Sequence, residues 1–111
     1  MSVSHEHCQV IEPLGGSVDQ GSLQGDALDI NLRQYRRGEA TQGGLDGLGE
    51  EVATVISGEF DVDAAGEHYR LTPGEGILIP RGEPRKWTCT SAEGVLYRAV
   101  VRGGPQGRER A

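Results

Sequence analysis

The sequence predicts a small all-β domain, closed as a sandwich or barrel, on three observations. Its apolar residues fall in short runs with period-two alternation or β-branched content, and almost no stretch shows a helical period. Its 18 glycines are spread along the chain, as turns between short strands require, rather than gathered in one linker. At 111 residues, 35% of them apolar, there is material for one modest core.

The elements follow in order. Cys8 to Ile11 reads as a first short strand. Leu28 to Arg36 alternates, with Leu28, Ile30 and Leu32 on one side and Asn31, Arg33 and Tyr35 on the other. Glu51 to Ser57 is rich in Val, Thr and Ile, and Gly58 turns it into Glu59 to Asp63. Ala65-Gly66 leads into Glu67 to Leu71, and Pro73-Gly74 carries the residues of a type II turn. Gly76 to Pro80 ends at a proline, which cannot donate to a ladder. Lys86 to Ser91 and Gly94 to Arg102 complete eight strands. The segment Gly38 to Gly49, with five glycines, reads as a loop at one mouth of the barrel, either functional or a plain connector. The domain is expected over residues 8–102, with residues 1–7 and 103–111 as flexible tails.

Charge and composition narrow the partners. The formal net charge is −6. No Lys/Arg stripe is interleaved with aromatics, so nucleic acid is not an expected partner, and an anionic membrane surface is disfavoured. No apolar run is long enough to span a bilayer, and the polar N-terminus lacks a signal core, so the expected location is cytoplasmic. Cys8 and Cys89 are then expected to be reduced.

Two segments resemble the signature motifs of the cupin superfamily. In the first, Glu51, six intervening residues and Gly58 match the second half of the pattern, but its His-x-His pair is absent; the corresponding positions are Leu45 and Gly47, or Gly44 and Asp46. In the second, GEGILIPRGEPRKWTC, Gly74, Pro80 and Gly82 stand at the family spacing. Arg85 occupies the histidine position and Cys89 the asparagine position. The resemblance covers residues 28–102 and implies a single-domain, cupin-type jelly-roll barrel. It also implies a homodimer, with Leu28, Ile30 and Leu32 as either outer core or dimer interface.

Metal-binding relatives usually offer three histidines and a glutamate, of which only Glu51 remains here. No metal and no other cofactor is therefore expected. His5 and His7, beside Cys8, sit in the expected tail, and His68 lies on an edge strand. The resemblance faces Arg85 inward, near Glu51. The two form either an ion pair filling the vacated site or a catalytic pair, with Arg85 gripping an anionic or carbonyl group and Glu51 as acid or base. Burial raises the pKa of such a carboxyl and a close arginine lowers it.

Counting by twos adds Trp87 and Cys89 to the inward face, and the resemblance adds Arg33 and Tyr35, as ligand-binding residues around a small-molecule substrate or as plain core. No base accompanies Cys89, so it is not expected to be a nucleophile. The resemblance implies, as the functional expectation, a metal-independent cyclase or isomerase of a polyketide-type natural-product intermediate, since small cupins similar to this chain are found among such enzymes. The alternatives are a non-catalytic ligand-binding or sensing cupin and, last, a metal-dependent oxygenase or isomerase with atypical ligands. No helix-turn-helix segment accompanies the barrel, so the chain is not expected to regulate transcription by itself.

Overall fold

The structure is a computed structural model and describes residues 7–43 and 48–102. Among these residues every regular element is a strand: β1 (Gln20–Gln24), β2 (Leu28–Arg36), β3 (Ala40–Gly43), β4 (Leu48–Ser57), β5 (Phe60–Ala64), β6 (Glu67–Leu71), β7 (Gly76–Ile79), β8 (Arg85–Cys89) and β9 (Glu93–Arg102). They form two antiparallel sheets, one in the order β1-β2-β9-β4-β7 and the other β3-β8-β5-β6. The all-β jelly-roll expectation holds. Among the described residues no helix is long and apolar enough to cross a membrane.

Two expectations are corrected. Cys8 to Ile11 is not a strand. It lies along β1, where Gln9 donates to the Gln24 carbonyl at 3.2 Å, and Ile11 packs on Gly21. The first strand is instead Gln20–Gln24, which lacks apolar alternation because Gln20, Ser22 and Gln24 are polar. Its order comes from pairing with β2, a non-local cause that a local pattern does not carry. Likewise, Gly38 to Gly49 is not all loop. Ala40–Gly43 pairs with β8 as an edge strand, and β4 begins at Leu48, while positions 44–47 lie outside the described residues.

Alternation builds the interior as expected. Along β5, Phe60, Val62 and Ala64 point in, and along β8 Trp87 and Cys89 do so. They meet Tyr35, Ala53, Val55 and Leu96 from the larger sheet. The aromatic rings set the middle of this core: Tyr35 meets Phe60 edge-on at 5.2 Å between centroids, and Phe60 meets Trp87 at 6.3 Å. The same alternation carries two charges inside. Glu51 is in phase with Ala53 and Val55, and Arg85 with Trp87.

Gly58 closes the β4–β5 turn at φ 78°, and a Cβ there would stand 2.3 Å from the Glu93 carbonyl oxygen. Both the positive φ and the crowding against β9 demand glycine. Gly58→Ala is therefore expected to cost about 2–4 kcal/mol, read as a lower urea midpoint with unchanged m.

Candidate functional site

The site grows from one carboxylate. Glu51 is fully buried on β4, where nothing but paired donors makes a charge tolerable. Arg85, at the start of β8 in the opposite sheet, donates Nη1–H to Glu51 Oε1 at 3.0 Å. Arg98, on β9, clasps the same group with two donors, Nε to Oε2 at 2.5 Å and Nη2 to Oε1 at 2.8 Å. Three charge-assisted bonds thus converge on Glu51, two of them as a guanidinium fork.

The two arginines differ in what else they do. Arg85 is committed to the frame. Its Nε donates to the Glu83 carbonyl at 2.9 Å, Nη1 also to Gly49 at 3.2 Å, and Nη2 to Pro80 at 3.1 Å. Gly49 must be bare for another reason, because a Cβ there would fall 1.8 Å from the Val101 carbonyl oxygen of the adjacent strand. Arg98 is less enclosed, its side chain 16% exposed. It lines a groove of about 240 Å³ with Ser22, Asp29, Asn31 and Val100 among the walls. Asn31 faces Arg98 across the β2–β9 ladder, and Arg33 lies one diagonal step away, its guanidinium stacked 4.4 Å over the Tyr35 ring.

Electrostatics follow from this arrangement. Burial raises the pKa of Glu51, but the hydrogen bonds and charges of Arg98 and then Arg85 outweigh it, and the carboxyl is held below the usual carboxylate range. Burial opposes the charge of Arg98, yet Glu51 holds that guanidinium above its ordinary range. The cluster of one anion and two cations carries a net charge of about +1.

Glu51 and Arg85, taken together from the sequence, do meet. Arg33 is not part of that cluster and instead stacks over the Tyr35 ring. Tyr35, Trp87 and Cys89 are all but fully buried within the aromatic core. Cys89 Sγ lies 3.4 Å from the Ser91 carbonyl oxygen, a position for a weak thiol donor. Trp87 Nε1–H and Thr41 Oγ1, on residues paired across β8 and β3, are buried without a hydrogen-bond partner among the described residues. Arg98 is the residue that sequence reasoning missed. The available signal was alternation along β9, where counting by twos from the buried Leu96 reaches Arg98.

The donor set does not fit a metal ion. The lone carboxylate is saturated by guanidiniums, which repel a second cation, and the described residues hold no group of three or more His, Cys, Asp or Glu placed for one. His68 stands apart, on the outer face of the smaller sheet, bonded to Asp63 at 2.6 Å. His5 and the positions of the missing His-x-His pair lie outside the described residues.

The family model described as "Cupin domain" matches residues 48–101. The chain is 32% identical over 65 residues to the HTH-type transcriptional regulator PuuR of Escherichia coli, a match covering 59% of this chain and 35% of that protein. The chain thus matches about a third of the length of that curated relative. Among solved structures it is similar to KdgF from Halomonas sp. (TM-score 0.65, 19% identity, 95% of this chain and 94% of that one). It is also similar to the Cupin_2 domain of an XRE family transcriptional regulator from Enterobacter cloacae (TM-score 0.60, 22% identity, 68% and 81%).

Because the folded carboxyl of Glu51 titrates below its ordinary value of 4.5, the unfolded chain takes up this proton first as pH falls. The clamp's contribution is expected to be complete above about pH 5 and lost as pH drops through 4.5 toward the folded value. Asp61, paired with Arg70 on the surface, acts in the same direction but is screened by salt. Urea midpoints across this window in high salt isolate Glu51, and Glu51→Gln should flatten the acid slope while costing about 3–5 kcal/mol at neutral pH.

Proposed function

We propose, from the premise that the chain carries a cupin domain, that it binds a small organic anion in the barrel and serves as a ligand-sensing module rather than as a catalyst. The observation that carries this reading is Arg98. Glu51 takes its Nε and one Nη2 hydrogen, and its edge along the groove remains for an incoming carboxylate or enolate oxygen. Arg33 adds a second cation on the same side of the sheet, and Asn31 a polar amide between them. The indole N–H of Trp87 and the hydroxyl of Thr41, without a partner among the described residues, offer further hydrogen bonds inside the barrel.

The cyclase or isomerase reading asks Glu51 to trade protons near neutrality. A carboxylate held by three donors and titrating below its ordinary range is a poor acid and a weak base. It is instead a strut that fixes the angle of Arg98. The likeness of residues within this chain to a protein named as a transcriptional regulator supports sensing, with the groove as the ligand's entry.

Trp87 is the only tryptophan, so its emission reports the barrel interior directly. Titration with succinate and glutarate is expected to shift that emission. Arg33→Gln should weaken the binding about tenfold or more, a loss of about 1.4 kcal/mol, without moving the urea midpoint. An emission indifferent to every such anion, or affinities unchanged in both Arg33→Gln and Arg98→Lys, would remove the basis for the proposal. Turnover of an added polyketide-type substrate that vanishes in Glu51→Gln would return the enzyme reading.

A further inference from the structure

We infer, resting on the reading that the barrel binds an organic anion, that its ligand is a zwitterion: a short amino acid whose carboxylate meets Arg98 and whose ammonium meets Asp29. Asp29 lines the same groove as Arg98. The strand register sets the two apart. Val100 on β9 pairs with Asp29 on β2 and with Glu51 on β4, so the three stand side by side on the inner face of the larger sheet. The Arg98 guanidinium is drawn to Glu51, on the β4 side of Val100, and the Asp29 carboxylate stands on the β2 side. The groove therefore carries a fixed cation at one end, a fixed anion at the other and the Val100 side chain between them. With strands about 4.8 Å apart, the two charges are separated by roughly 5–10 Å. A chain of about two to four methylenes spans that distance once each end makes its hydrogen bond, and Val100 gives it an apolar floor.

Each groove charge has a counter-charge behind it. Glu51 holds Arg98, and Arg102 holds Asp29, its Nη2 donating to Asp29 Oδ1 at 2.6 Å. Nη1 of Arg102 donates to the Gly25 and Asp26 carbonyls at 2.6 and 2.8 Å, in the β1–β2 turn, so that guanidinium stays out of the groove lining. Asp29 Oδ2 accepts no hydrogen bond among the described residues. Asn31, beside both charges, donates its amide hydrogens toward β1, to Gln20 Oε1 at 3.3 Å and Ser22 Oγ at 3.1 Å. Its carbonyl oxygen is left as an acceptor. Asp29 Oδ2 and Asn31 Oδ1 are thus a pair of acceptors, which an ammonium uses and a second carboxylate does not.

Asp29 separates two kinds of anion. A dicarboxylate that reaches Arg98 along the groove sets its second charge against Asp29, a like-charge contact. The matched amino acid brings an opposite charge to the same place. Arg33 does not alter this balance, because it lies on the far side of Asn31 from Asp29 and is not part of the groove wall.

Calorimetric titration of the full chain with matched ligands tests this. The pairs are 3-aminopropanoate against succinate and 4-aminobutyrate against glutarate, with butanoate as the carboxylate that lacks a second charge. Each amino acid is expected to bind about tenfold tighter than its dicarboxylate. Asp29→Asn should weaken 4-aminobutyrate about fivefold or more, to the level of butanoate, while butanoate itself binds as before and so reports an intact groove. Asn31→Leu, which removes the other acceptor, should act in the same direction. Dicarboxylates that bind as tightly as the amino acids, or an amino-acid affinity that survives both substitutions, overturn the zwitterion and leave the anion reading standing. Failure of butanoate, glutarate and 4-aminobutyrate alike overturns both.

Discussion

The carboxylate of Glu51 is the constraint around which the barrel's charged end is arranged. It sits on β4 of the larger sheet, takes a proton donor from β8 of the smaller sheet and a fork from β9 beside it. One side chain therefore ties three strands and both layers. Arg85 extends the tie, because its remaining donors reach carbonyls at Gly49, Pro80 and Glu83, at the start of β4, the end of β7 and the turn before β8. Such a cluster adds little net stability, since desolvation nearly cancels its attraction. What it confers is position. No apolar triad holds its members at fixed angles the way directional donors do.

That distinction links packing to function. The middle of the barrel is filled by rings from both sheets, Tyr35, Phe60 and Trp87, in edge-to-face contact. These set the spacing of the layers, and Arg33 rests on the outermost of them. The charged end and the aromatic middle are consecutive stretches of the same inward faces. The polar end of the interior is set by which inward positions carry charge, Glu51 and Arg85 among them. A guanidinium, that of Arg85, stands where the resemblance places a metal-ligating histidine, and the interior there presents hydrogen-bond donors instead of a lone pair.

The two outer faces divide the remaining work. The smaller sheet wears paired charges, while the larger presents an apolar line across all five of its strands. The inner face of that larger sheet holds Arg98 and Arg33, on the side of β2 and β9 opposite to that line. A shift of either strand moves both faces together, because side chains in a strand alternate about one backbone.

Period-two alternation by itself determined the all-β class and most strand positions, and, counted from the Arg85 that the motif resemblance faces inward, it placed Trp87 and Cys89 on the same side, because each follows from which side of its own strand a residue occupies. The glycine and proline spacings from Glu51 to Cys89 determined the family of barrel. Three things were decided only by tertiary structure. β1 and β3 have no apolar pattern, and their partners β2 and β8 order them through backbone hydrogen bonds that any side chain permits. The contact of Arg98 with Glu51 joins residues 47 positions apart and depends on strand order, since β9 lies beside β4 only once the sheet has assembled. The charge state of Glu51 was open for the same reason: burial and arginine contact push its pKa in opposite directions, and only the count of donors reaching it, three rather than one, determines which prevails.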